Sequence, residues 1–197
     1  MEIDFLQYQL NDTHDSLAVV RNLKIYGEVV IPETHEFKGV MYPVTKIENG
    51  VFKGRHGLTS IRFPKSITEV GRSTFSGCYS LNTINIPKVS VINVFTFKKC
   101  SSLTAVVIPD SVTKIGYEAF GGCKSLTSVI LPDSLVEIGE EAFIACISLT
   151  SIIIPDSVTK IGERAFRLCD DLRKIVISNA SLLENAGVPE GVEIVKP

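Results

Sequence analysis

Five cysteines, three histidines and a file of aspartates are the side chains in this sequence best equipped for chemistry. Cys78, Cys100, Cys123, Cys146 and Cys169 would serve as redox centres or soft metal ligands if they converged. His14, His35 and His56 would act as general bases near neutral pH, and Asp110, Asp133 and Asp156 as ligands for a hard cation. Spacing argues against each of these uses. The cysteines recur every 22 or 23 residues and the aspartates every 23, whereas the histidines lie in three unrelated N-terminal segments with no nucleophile in register beside them. Gly121-Gly122 is separated from Lys124-Ser125 by Cys123, so the Gly-Lys-Ser/Thr of a phosphate loop is not formed.

Spacing of that regularity describes the elements that carry the residues. Phe52, Phe75, Phe97, Phe120, Phe143 and Phe166 keep the same step, as do Leu58, Leu81, Leu103, Leu126, Leu149 and Leu172, and Pro64, Pro87, Pro109, Pro132 and Pro155. A fixed period in this range marks a stacked architecture. One unit, residues 149–169, reads L-T-S-I-I-I-P-D-S-V-T-K-I-G-E-R-A-F-R-L-C. Ile152 and Ile154 alternate with Ser151 and Ile153 as a strand, and Pro155 ends the pairing because it has no N–H to donate. Asp156 and Ser157 are turn formers expected to cap nearby amides, Gly162 is expected to allow a bend, and residues 163–168 have room for one or two helical turns.

Strands joined by so short a return path stack in parallel at about 4.8 Å, and equivalent residues form columns. The inward columns are the Leu, the strand aliphatics, the Val and Ile after the turn, the Ala before the Phe, the Phe and the Cys. Thiols in such a column point in parallel about 5 Å apart, beyond the ~3.8 Å between Cβ atoms of a disulfide and without tetrahedral convergence. Free, buried thiols are expected, and no cofactor or metal. The aspartates cannot gather the roughly six oxygens of a calcium site. On an outward position Lys114, Glu137 and Lys160 alternate in sign, with Glu69 and Val91 before them, as a solvated ladder.

The pattern L-x-x-I-x-I-P-x-S-V-x-x-I-G-x-x-A-F-x-x-C closely resembles the BspA-like leucine-rich repeats. The resemblance covers residues 58–178 and departs in the third unit, where Asn93 replaces the Gly and Thr96 the Ala. It implies a leucine-rich repeat solenoid, mostly β, with a parallel sheet of short strands, turns and short helical segments. It also implies a surface-exposed or secreted bacterial protein that adheres to host or cell-surface proteins; no enzyme is expected, since no set of residues supplies a catalytic constellation. Met1-Glu2-Ile3-Asp4 does not read as the start of the signal peptide that such export would use.

Four segments are expected. Residues 1–28 form an N-terminal hairpin cap from Phe5–Leu10 and Leu17–Val20; residues 29–57 form a degenerate first repeat with an inserted hairpin turning at Lys38-Gly39. Residues 58–178 hold five full repeats and a final strand, and residues 179–197 leave the template after Ile177 and cap the far end, with Val192–Val195 as a closing strand. Twenty Lys and Arg against 22 Asp and Glu give a net charge of -2, which offers no field for nucleic acid. No apolar run approaches the ~20 residues of a membrane-spanning helix.

The outward strand positions form the candidate site. One column is Ser60, Thr83, Ala105, Ser128, Ser151 and Lys174; the other is Arg62, Asn85, Val107, Ile130, Ile153 and Val176, which turns apolar partway along. A contiguous exposed apolar stripe marks contact with a protein partner or with a second copy of the chain. Two other uses stay open: glycan capture, for which Tyr8, Tyr26, Tyr42 and Tyr117 lie outside the sheet face, and a purely structural spacer.

Overall fold

A computed structural model describes residues 6–22 and 26–197; Phe5, expected in the first strand, lies outside the described residues. The chain winds into a solenoid of about eight turns with stacked parallel strands. It begins with β1 (Leu6–Leu10), β2 (Leu17–Asn22), β3 (Gly27–Val30), β4 (Thr34–Phe37) and β5 (Val40–Ile47). The repeats contribute β6 (Leu58–Arg62), β7 (Glu69–Val70), β8 (Val91–Ile92), β9 (Ala105–Val107), β10 (Lys114–Ile115) and β11 (Ser128–Ile130). β12 (Glu137–Ile138), β13 (Ser151–Ile153), β14 (Lys160–Ile161), β15 (Lys174–Val176) and β16 (Glu193–Val195) follow.

Two flanks carry parallel pairing. On the first, β3 pairs with β6, β9 with β11, and β13 with β15 and then β16, each in the register that sets equivalent residues side by side. This sheet is interrupted at residues 81–87, which hold no strand, and between β11 and β13. Three-residue strands make so few ladder bonds that losing one or two dissolves a pair. The second flank is a ladder of two-residue strands in the order β14-β12-β10-β8, with β7 on β5 beyond it. At the N-terminal end β1 and β2 pair antiparallel, and β4 and β5 form a hairpin across Lys38-Gly39.

The interior is the set of inward columns. The six phenylalanines are buried and stack ring on ring, with successive centroids 5.4, 5.4, 5.2, 5.4 and 5.8 Å apart and planes within 15° of parallel. A fully buried ring contributes about 1.5–3 kcal/mol by area alone. Ala119, Ala142 and Ala165 leave room beside the rings; in the second and third coils Thr74 and Thr96 take that place, buried, each hydroxyl donating at 2.7 Å to the carbonyl three residues back.

Three local expectations are corrected. Residues 163–168 form no helical turns: Arg164 and Leu168 sit at φ 56° and 60°, in the left-handed region, which breaks any right-handed helix. The same two positions recur in every coil, at Ser73, Phe95, Glu118 and Glu141 and at Gly77, Lys99, Gly122 and Ala145. Among the described residues the only helical element is a 3-10 turn at Ala180–Leu183, capped by the Asn179 side chain. Gly162 is needed for close approach between coils, not for a bend: a Cβ there would stand 2.2 Å from Glu140 N, and at Gly139 and Gly116 2.8 and 2.9 Å from the preceding coil's backbone. Ser157 caps no local amide either. Its hydroxyl donates 2.7 Å to Leu135 O one coil back, as Ser66, Ser111 and Ser134 do to Val44, Val89 and Val112. Asp156 accepts from Ser178 of the next coil at 2.5 Å.

The third coil is the irregular one. Gly71, Gly116, Gly139 and Gly162 each donate their backbone N–H at 2.8 Å to the Ile carbonyl one coil back. At Asn93 the side-chain Nδ2 makes the corresponding bond instead, 2.8 Å to Val70 O. A Cβ at this point of close approach forces the coils apart, the amide spans the gap, and β7 and β8 do not pair. An apolar void of about 10 Å³ between Phe63, Phe75, Phe97 and Thr96 marks the same place, no larger than one water. At the C-terminal end the backbone keeps the coil where the sequence leaves the template. Leu183 and Ala186 are buried, Ala186 O accepts from Phe166 N at 2.8 Å, and left-handed Gly187 and Gly191 continue the step from Arg164 and Leu168.

Candidate functional site

The thiols are buried, and each donates to the carbonyl of the preceding coil's phenylalanine: Cys78 to Phe52 O at 3.1 Å, and Cys100, Cys123, Cys146 and Cys169 to Phe75, Phe97, Phe120 and Phe143 at 3.2 Å. Burial pushes the Cys78 and Cys169 thiols up to about 12 and the three between them well above the ordinary value. Protonated thiols held as hydrogen-bond donors are poor nucleophiles and poor metal ligands. Among the described residues no three His, Cys, Asp or Glu side chains converge as a metal site. His14 binds the Asp12 carbonyl in the β1–β2 loop, His35 stacks on Tyr8 at 3.9 Å, and His56 stacks on Tyr79 at 4.6 Å.

The second flank is the expected charge ladder. Lys114 and Lys160 flank Glu137 at 2.9 and 3.0 Å and hold its carboxyl below the usual range, Lys114 foremost. Lys46 reaches Glu48 at 3.0 Å and Glu69 at 3.3 Å, which raise its ammonium pKa, Glu48 foremost. Satisfied, exposed pairs of this kind contribute little to stability or recognition.

The first flank carries the candidate residues. Val107, Ile130 and Ile153 close β9, β11 and β13 with side chains 60, 58 and 65% exposed, while the residues before them, Val106, Val129 and Ile152, are buried. This alternation is what a strand with one face in the core imposes. Ser128, Ser151 and Lys174 open their strands exposed, and Lys174 stands opposite Glu193 of β16. Val176 is half-buried beside Val195, so the fully exposed stripe is three residues long and Val176 forms its shoulder. At the other end Asn85 is exposed in the coil without a strand, and Arg62 ion-pairs with Glu28 while standing opposite Val30. Val30, 61% exposed, is an apolar member of the column that the sequence reading missed because it precedes the regular repeats.

Parallel coils of this length, with a Leu, a Phe and strand aliphatics in inward columns, define a leucine-rich repeat solenoid. The model of the BspA type leucine rich repeat region, present in six copies, matches residues 33–106 and 90–187, and the chain belongs to that family. Among solved structures it resembles a leucine rich cell surface protein from Faecalibacterium prausnitzii A2-165, at 32% identity and a TM-score of 0.69 over 89% of this chain. The alignment covers 53% of that protein, so this chain spans about half its length. It also resembles a leucine rich repeat protein from T. pallidum, at 26% identity and TM-score 0.60 over all of this chain and 81% of that one. A leucine-rich repeat protein from Bacteroides ovatus ATCC 8483 matches with 26% identity and TM-score 0.60, over all of this chain and 67% of its own. No curated protein matches. Among the described residues no helix is long and apolar enough to cross a membrane.

Proposed function

We propose that this chain is a non-catalytic, extracellular recognition module that docks a protein partner of the host or cell surface against its first sheet flank. Val107, Ile130 and Ile153 form the centre of contact, with Ser128, Ser151, Lys174, Val176, Asn85 and Arg62 around them. The reading is carried by one observation: three successive coils hold β-branched side chains 58–65% exposed at the same position. Such a run exceeds the scattered apolar residues of an ordinary surface, and its rim of serines and charges has the composition of a contact patch. Its likeness to a bacterial cell surface protein supports the extracellular setting.

The test replaces Ile130 and Ile153 by Lys. Both side chains point to solvent, so the fold and its thermal transition are expected to persist. Association in sizing experiments, or retention of a defined extracellular-matrix protein on immobilised chain, is expected to fall at least about tenfold, as for a buried contact residue. Unchanged association and unchanged retention in the double variant would leave a spacer as the better reading.

A further inference from the structure

A separate surface lies along the edge where each coil enters its sheet strand. Ser80, Ser102, Ser125 and Ser148 occupy one position on this edge in four successive coils, and the coil before them has Gly57 there. Gly57 has no left-handed backbone to explain it; what it does is seat Tyr26. A Cβ on Gly57 would stand 2.3 Å from the tyrosine's Cδ1 and 3.0 Å from its Cε1, and Gly27 N donates to Gly57 O at 2.7 Å to hold the two segments together. The ring so accommodated stays 78% exposed and therefore adds little to the core. In the next column the His56 and Tyr79 rings stack at 4.6 Å and 26°, both on the surface. Gly27 stands opposite Leu58, so Tyr26, His56 and Tyr79 belong to three successive coils and span about 10 Å, two inter-strand steps.

From this arrangement we infer that Tyr26, His56 and Tyr79 form an aromatic platform for a short neutral oligosaccharide. A pyranose presents an apolar C–H face to a ring and hydroxyls at its rim, and the platform answers with aromatic faces edged by two phenol hydroxyls and an imidazole. A nucleic acid strand would also stack, but it needs a basic groove, and the chain has a net charge of -2. A proline-rich peptide docks in a groove between aromatics, whereas these rings lie along an open edge. The platform is distinct from the proposed protein-docking stripe and does not depend on it.

The experiment screens the intact chain on an array of neutral oligosaccharides and titrates the retained sugar while following tyrosine emission, which the absence of Trp leaves unobscured. Wild type is expected to bind a sugar of two or more units, and Tyr26→Ala and Tyr79→Ala to weaken that binding about tenfold each, the loss of one stacking contact. Gly57→Ala is expected to weaken it as well, by displacing Tyr26, while the Ile130→Lys, Ile153→Lys variant binds as wild type does. Tyr26 is largely exposed, so its replacement leaves the fold intact. No neutral sugar retained by wild type, equal binding by Tyr26→Ala and Tyr79→Ala, or capture of a proline-rich peptide in place of sugars would each overturn the inference.

Discussion

The third coil offers the sharpest test of how the stack is held, because one position there does with a side chain what the other coils do with the backbone. Asn93→Leu keeps the bulk and removes the Nδ2 bond to Val70 O, 2.8 Å long. Val70 is buried, so its carbonyl loses a partner without gaining water, a cost of about 1–3 kcal/mol. Asn93→Gly removes the same bond but also the Cβ that holds the coils apart. The backbone N–H of residue 93 is then free to approach Val70 O as those of Gly71, Gly116, Gly139 and Gly162 approach their acceptors at 2.8 Å. Against that gain stands the glycine entropy of roughly 0.5–1 kcal/mol, so the net change is expected to be near zero. Urea denaturation followed by circular dichroism measures both variants, and hydrogen exchange at residue 93 reports the new bond directly. The reasoning fails if Asn93→Leu is as stable as wild type, or if the residue 93 amide of Asn93→Gly exchanges no more slowly than before.

Further outcomes follow from the titrating groups. The five thiols, buried and raised, should resist alkylation at pH 8 until the chain unfolds, so labelling rates measured by mass spectrometry should track denaturant; fast labelling of the native chain would contradict their burial. Their folded pKa values lie above the unfolded ones, so this contribution to stability is complete below about pH 8.5 and declines as pH rises towards 12, with an alkaline limb that Cys→Ala variants should shorten. Glu137 has the opposite sign: its carboxyl is depressed, so its contribution is present above about pH 4.3 and lost as pH falls through the lower folded value. Because the ladder is partly exposed, Glu137→Gln should cost under about 1 kcal/mol at neutral pH and flatten the acid limb of a stability profile.

The columns were legible because identity at a fixed step is a long-range signal: Phe120 announces Phe97 and Phe143, and the alternation of Val129 with Ile130 states which of them faces out. What was hidden lies in features too short or too permissive for such a signal. Glu137-Ile138 is a two-residue strand, and two residues cannot display a period of two. Glu118, Glu141 and Arg164 adopt left-handed backbone without the glycine that normally betrays it, because stacking hydrogen bonds such as Glu118 N to Glu140 O at 3.1 Å hold each coil to the shape of the next. Ser157 reads as a turn cap since its neighbours are Pro155 and Asp156; only the stacked coil brings Leu135 O within 2.7 Å of its hydroxyl. The sequence marks Tyr26 only as a tyrosine off the sheet face, and its seat on Gly57 follows from the pairing that sets residues 27 and 58 side by side.

The stacking geometry bears on why recognition is the function proposed for this solenoid. Catalysis requires several polar groups aimed at one point, and here the polar groups nearest the core are already committed along the axis: Ser hydroxyls, Cys thiols and turn amides each bond to the coil before or after. Translation by one coil repeats a side chain's direction instead of opposing it, so equivalent residues run parallel, and where they do meet, as Lys114 and Lys160 meet Glu137, they pair along the axis. What such a stack can vary freely is the identity of its outward positions, coil by coil, and a change there, such as Asn85 to Val107 to Ile130 along one file, alters the surface without disturbing the columns inside. Core and contact residues are thus separable, and Ile130→Lys should alter binding at constant stability while truncating Phe120, whose ring lies 5.2 and 5.4 Å from its neighbours, should cost about 3–5 kcal/mol and weaken binding only through the loss of folded chain.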